Sequence, residues 1–158
     1  MKERDTKVEV IVKGERHEFS SQEELGIDRD DLDIELARQA AHFAWFGILQ
    51  ERARNERIRL EQDIENTEYR LFLEAGGGTE KITVDAKKAK ARTDPRYLDL
   101  REKYREAEHD ERLLGVIVQA LTQRKDVLIA LARSRHLEMS APSADEVERI
   151  KKNLFGTR

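Results

Sequence analysis

Cysteine is absent from this chain, so neither a disulfide framework nor a thiolate zinc site can be built. That excludes a secreted disulfide scaffold and suits a reducing compartment. Only two prolines and eight glycines interrupt 158 residues, which leaves room for long continuous helices. Long apolar runs are missing too. The densest, Ala40 to Leu49, is broken by His42 and is far shorter than the roughly 20 residues of a membrane span. No apolar stretch follows Met1-Lys2-Glu3-Arg4-Asp5, so no signal peptide and a cytoplasmic protein without membrane attachment are expected. Neither sign of charge dominates: 30 Lys and Arg stand against 33 Asp and Glu, a net charge of -3. Such a total does not describe a polycation that coats nucleic acid by bulk charge. What is abundant is charge of both signs, at 40% of positions, the composition of long helices laced with solvent-facing ion pairs.

Three sections follow from the residue pattern. From Thr6 to Phe19 the period is two, with Val8, Val10 and Val12 alternating with Glu9 and Ile11. Lys13-Gly14 supplies a turn, and Glu15 to Phe19 returns as a second strand. An isolated hairpin of this size is marginal in water, so it docks on the helices or pairs with another copy. Ser20-Ser21-Gln22-Glu23 reads as a capping box opening a short helical turn that Gly26 ends. From Asp28 to Glu74 apolar residues recur three and four apart, through Leu32, Leu36, Ala40, Phe43, Leu49, Ala53, Leu60, Ile64 and Leu71. This predicts one helix of roughly 65 Å at about 1.5 Å per residue. Gly76-Gly77-Gly78 stops it, with a left-handed cap as the physical reason.

Thr83 caps a short basic helix, Val84 to Arg92, and Asp94-Pro95 starts a second long helix that runs to about Leu137. Ala141-Pro142 breaks it, and Ser143 to Glu146 forms another capping box before a final helix with Val147, Ile150 and Leu154. The fold expected is mainly α: a long antiparallel helical hairpin over 27–138, a β-hairpin unit over 1–26, and a short C-terminal helix over 139–158. Phe43-Ala44-Trp45-Phe46 and the Leu113 to Val118 stretch are apolar nearly all round and lie at comparable distances from the glycine turn. They would meet, with their outer sides bare, so Phe43, Trp45, Phe46, Leu114 and Ile117 are the candidate interface of a homo-oligomer.

Catalysis has little to work with. There is no Gly-x-Ser-x-Gly, and the triple glycine lacks the Gly-Lys-Ser/Thr ending of a phosphate loop and follows a helix. Glu106 and His109 have the Glu-x-x-His spacing of di-metal helices, but His42 is preceded by Gln39, not Glu, at the matching position. His42 reads as an amphipathic interface residue. No enzyme activity, cofactor or metal is expected.

Charge is segregated, and here the total misleads. Between Val84 and Tyr104, Lys87, Lys88, Lys90, Arg92, Arg96, Arg101 and Lys103 oppose only Asp85, Asp94, Asp99 and Glu102. A second group, Arg124, Lys125, Arg133 and Arg135, faces Asp126 alone. The acid gathers in Glu15 to Glu24 and Asp28 to Glu35. Tyr69, Phe72 and Tyr97 stand beside the first basic stretch, where they can stack on unpaired bases. The bland alternative is a solvated face laced with intrahelical pairs.

The order of parts resembles the UvsY-type recombination mediators of bacteriophages. Gln22-Glu23-Glu24-Leu25 precedes an Asp-initiated helix with Leu32, Glu35, Ala37 and Phe43-Ala44-Trp45-Phe46. Tyr69-Arg70-Leu71-Phe72, a glycine loop, the Lys-rich helix, Asp94-Pro95-Arg96-Tyr97 and a second long helix follow, so the likeness runs from Gln22 to Leu137. It implies a small helical protein that assembles into a homo-oligomeric ring, of six or seven copies, and binds single-stranded DNA. It also implies partners: a single-strand-binding protein, whose hold is weakened, and a RecA-like recombinase, which is loaded, in the host cytoplasm. The family's basic site maps onto Arg70, while Glu68 stands where the family has a second basic residue. Lys87, Lys88, Lys90 and Arg92 are candidates to replace that charge, with Arg96 beside them. The competing readings are a scaffolding helical oligomer with no nucleic-acid role and, more distantly, a di-metal helical enzyme.

Overall fold

A computed structural model describes residues 6–77 and 82–140, together with 146, 147, 149 and 152. Its elements are β1 (Lys7–Val12), β2 (Glu15–Ser20), α1 (Ser21–Leu25), α2 (Leu32–Gly76), α3 (Val84–Arg92) and α4 (Pro95–Ser140). The mainly α architecture is the one the sequence implies, with two long helices and a two-stranded antiparallel sheet ahead of them. Glu35 and Gln39 of α2 bond to Arg124 and Leu121 of α4, and Arg57 bonds to Glu111, so the long helices run antiparallel.

Seven-residue spacing builds the seam between them. Leu32, Gln39, Phe46 and Ala53 are buried on α2, and Ala107, Leu114, Leu121 and Leu128 on α4, each set seven apart. That repeat keeps one stripe of each helix facing its partner over several turns. In mid-hairpin the Nε of Arg57 donates to Glu111 across the seam at 2.5 Å. This contact, and a lesser one with Tyr104, raises the Arg57 pKa above its ordinary value.

The β-hairpin lies on the apolar stretch of this seam. Val12 pairs with Glu15, which leaves Lys13 and Gly14 as a two-residue turn with φ of 54° and 78°. Positive φ at both positions is the turn whose twist matches the strands, and glycine adopts it without a steric penalty. Val10, Val12 and Phe19 pack into one core with Phe46, Leu49, Ala53, Leu114 and Leu121. Two carboxylates from the helices hold the outer edge: the Ile11 amide donates to Asp110 at 2.9 Å and the Lys13 amide to Glu56 at 2.7 Å. Of the two arrangements left open for this hairpin, docking on the helices is the one adopted. The N-terminal unit and the helical hairpin therefore share a single core.

Docking corrects part of the expected interface. Phe46 and Leu114 are both 0% exposed and belong to the interior of a single chain. The ring of Trp45 lies 4.8 Å from Phe46 and 5.7 Å from Phe19, so it borders the same core while remaining 45% exposed. Ile117 is half-buried against that core, and Phe43 is exposed. The sequence marked an apolar stretch but not which part of it the hairpin covers.

Arg124, counted above in the second basic group, is 7% exposed. Its guanidinium donates to Gln39 Oε1 at 2.5 Å, to the Gly26 carbonyl at 2.9 and 3.2 Å, and to the carboxylate of Glu35. Gln39 completes the network by donating to the Leu121 carbonyl at 2.8 Å. One side chain thus ties the segment between α1 and α2 to the middle of α4. Gly26 suits its place because a Cβ there would lie 2.4 Å from the Gln22 carbonyl oxygen.

Boundaries shift by small amounts with local causes. Ser20 caps α1 through Glu23 and Thr83 caps α3 through Ala86, both as the sequence implies. The α2 helix begins at Leu32, not Asp28, because Asp28 accepts from the Asp30 amide in a turn of its own. Its end is not left-handed: Gly77 has φ of -81° and donates to the Glu74 carbonyl at 3.3 Å. The α4 helix reaches Ser140, three residues beyond the expected end. The final helix expected after Pro142 lies outside the described residues, apart from Glu146, Val147, Arg149 and Lys152, which are helical.

Replacing Arg124 with Leu leaves the enclosed Glu35 and Gln39 acceptors without donors. It should lower stability by about 3 kcal/mol, measured by urea unfolding, because breaking a buried pair strands its partner. The double change Glu35→Leu with Arg124→Leu should recover part of that loss.

Candidate nucleic-acid interface

Six basic residues were singled out at the closed end of the hairpin: Arg70, Lys87, Lys88, Lys90, Arg92 and Arg96. The α3 helix lies on the last turns of α2 with Ala91 buried at the contact, and this brings most of them to one end of the molecule. Lys88 lines a shallow groove of about 350 Å³ with Glu65, Glu68, Tyr69 and Phe72. Tyr69 is 66% exposed there. The ammonium of Lys87 sits 5.7 Å from the centroid of the Phe72 ring, a cation held over an aromatic face. Among the described residues Lys88 and Lys90 have no carboxylate partner.

The arginines are different. Arg92 donates through Nε to Glu68 at 2.7 Å. Arg96 is shared between Asp94, at 3.0 and 3.1 Å, and Glu74, at 2.9 Å. Hydrogen bonding to Glu68 raises the Arg92 pKa, and Asp94 with Glu74 raises that of Arg96 further. Asp94 moves the other way: Arg96, through its side chain and amide, holds the carboxyl below its ordinary value. These arginines carry their charge at every accessible pH, but each already faces an anion of this chain.

Arg70 falls away from the groove. It stands two positions before Phe72, about 160° away around the helix, and it donates to Thr67 at 3.3 Å. It shares a face with Glu74, four residues on. Lys90 lies on that side too, in a cleft of about 220 Å³ with Leu71, Glu74, Ala75, Asp94 and Arg96. The expected set is thus divided: Lys87, Lys88 and Arg92 beside Tyr69 and Phe72, and Arg70, Lys90 and Arg96 around Glu74.

Reading along the chain missed the acidic partners. Asp94 and Arg96 are two apart and their pairing is visible locally, but Glu68 and Arg92 are 24 residues apart and only the fold joins them. Glu106 and His109 line a separate cleft with Glu9, Glu56 and Asp110, where two carboxylates already hold hairpin amides. Among the described residues no group of three His, Asp or Glu side chains is placed to hold a metal ion. No helix among them is long and apolar enough to cross a membrane.

Away from their mutual seam each long helix carries a further, mostly apolar stripe that is largely exposed. On α2 it runs Ile34, Ala37, Ala41, Ala44 and Ile48, at alternating spacings of three and four, and all five are exposed. On α4 it runs Val116, Ala120, Gln123, Val127, Ala130, Ser134 and Leu137 at alternating spacings of four and three, with Gln123 and Ser134 polar and Ala120 half-buried. Ile48 is 55% exposed and Val116 64%. Such spacing is that of a helix-packing seam.

Comparison with protein-family models, with curated proteins and with solved structures returns no match for this chain.

Phe46→Ala and Leu114→Ala should each cost about 3 kcal/mol in urea unfolding, since both remove fully enclosed side chains. Loss of assembly with stability unchanged would return these residues to a subunit interface.

Proposed function

We propose that this protein is a recombination mediator that binds single-stranded DNA as a homo-oligomer and helps a RecA-like recombinase replace a single-strand-binding protein. The observation that carries the DNA reading is the groove at the closed end. An exposed tyrosine, Tyr69, and a phenylalanine, Phe72, lie beside the ammonium groups of Lys87 and Lys88. Aromatic faces for bases with cations for phosphates are what a binder of unpaired strands requires. The role toward the recombinase and the single-strand-binding protein follows from the family resemblance alone.

Assembly has its own support in the outer stripes. They are long, heptad-spaced and unmatched within the subunit, and a second copy offers a surface of the same kind. The scaffolding alternative draws on a specific observation as well. Arg92 and Arg96 are occupied by Glu68, Glu74 and Asp94, as in a helical end held together by its own ion pairs.

Anisotropy of a labelled oligothymidine separates the two. Binding should be measurable near 50 mM salt and weaken steeply by about 200 mM, as counterion release demands. Lys88→Ala with Lys90→Ala should weaken it about tenfold, and Tyr69→Ala by about 1–3 kcal/mol per stacked base. No binding at low salt would leave the scaffold. Light scattering should give a multiple of the subunit mass, reduced to one subunit by Ile48→Glu with Val116→Glu; an unchanged mass would place the interface elsewhere.

A further inference from the structure

We infer that Glu68 and Glu74 are specificity-determining residues: they occupy Arg92 and Arg96 as competing anions, so that only a continuous polyanionic strand displaces them. The inference rests on the single-strand reading above and concerns the same end of the molecule.

Each pair is built to be exchanged. Glu68 holds Arg92 through one bond of 2.7 Å, and Glu74 holds one nitrogen of Arg96 at 2.9 Å. Both guanidiniums are about three-fifths exposed, so incoming phosphate oxygens can reach their remaining N–H groups. Ion pairs made by exposed arginines contribute little, because water already solvates the guanidinium. A phosphate offers a guanidinium the same two-oxygen geometry that a carboxylate does. Trading Glu68 for phosphate at Arg92 therefore gains almost nothing in hydrogen bonding.

Electrostatics then sets a threshold. Glu68 lines the groove with Tyr69, Phe72 and Lys88, so its carboxylate stays close to any anion placed there. Glu74 does the same in the cleft with Lys90 and Arg96. A lone nucleotide contacts one or two cations and does not offset that repulsion. A strand long enough to pass from the groove to the cleft engages Lys88 and Arg92 at the first and Lys90 and Arg96 at the second, and the second and later contacts are intramolecular. The carboxylates thus discriminate by length, not by base.

Asp94 also holds Arg96: its carboxylate accepts the Arg96 amide at 2.9 Å as a cap at the start of α4, and accepts the guanidinium at 3.0 and 3.1 Å. It stays on Arg96 when Glu74 is changed, so at Arg96 Glu74 governs only the nitrogen that it shares with Asp94.

The test uses the full-length chain, labelled oligothymidine and thymidine monophosphate. Glu68→Gln with Glu74→Gln keeps side-chain shape and removes two charges. Strand affinity should rise on the order of tenfold, with a salt slope steeper by about one. Competition by the mononucleotide, negligible in the natural protein, should become measurable. The affinity gain should vanish when Arg92→Ala and Arg96→Ala are also present. A gain that persists without the arginines would be bulk charge and would overturn the inference. Unchanged affinity, with the natural protein binding strand normally, would overturn it while leaving the DNA reading intact. Absence of strand binding in natural and glutamine proteins alike would overturn the DNA reading itself.

Discussion

Leu114, Leu121 and Leu128, seven residues apart and fully enclosed, make the contact on which the rest of this fold depends. Two helices of some 45 residues expose far more surface than a single mutual seam can cover. A core arises because a third layer, the β-hairpin, lies over the seam where Phe46 and Leu49 meet Leu114 and Leu121. Polar bonds at the rim fix that layer. Asp110 and Glu56 take the hairpin's outer amides, while Arg124 secures the segment that leads from α1 into α2. The apolar contacts supply the driving force, and these bonds select one docking geometry.

The closed end follows a different logic. Only Ala91 of α3 is buried, so that helix is held on α2 largely at its polar margins, through Arg92 on Glu68 and Lys87 over Phe72. The contacts that hold α3 in place are made by the cations available to an anionic ligand. Positioning and binding compete for the same groups, whereas Lys88 and Lys90 stand outside that competition.

Local chemistry was legible in the sequence wherever it decides structure locally. Ser20, Thr83 and Asp94 act as caps, Lys13-Gly14 forms the turn, and α3 begins and ends where expected, because each depends on neighbours in the chain. The long helices were legible from their period. Side-chain fate across the molecule was not. Arg124 looks like any basic residue on a charged helix until Gln39 and Glu35 are brought against it from over 80 positions away. Phe46 and Trp45 are adjacent in an apolar stretch, and only the docked hairpin separates an enclosed ring from a half-exposed one. At the candidate site, pattern found the cations, Tyr69 and Asp94, but not that Glu68 answers Arg92 and Glu74 shares Arg96. The net charge of -3 argued against nucleic acid as a total; what bears on a strand is which cations remain unpaired at one end.

The central claim, that the closed end receives single-stranded DNA, is tested most directly by hydrogen exchange of the intact protein with and without an oligothymidine. Protection on adding DNA should concentrate in 84–92 and 65–74, with the β-hairpin unchanged. Protection confined to other segments, or none at a strand concentration that saturates binding, would contradict the account.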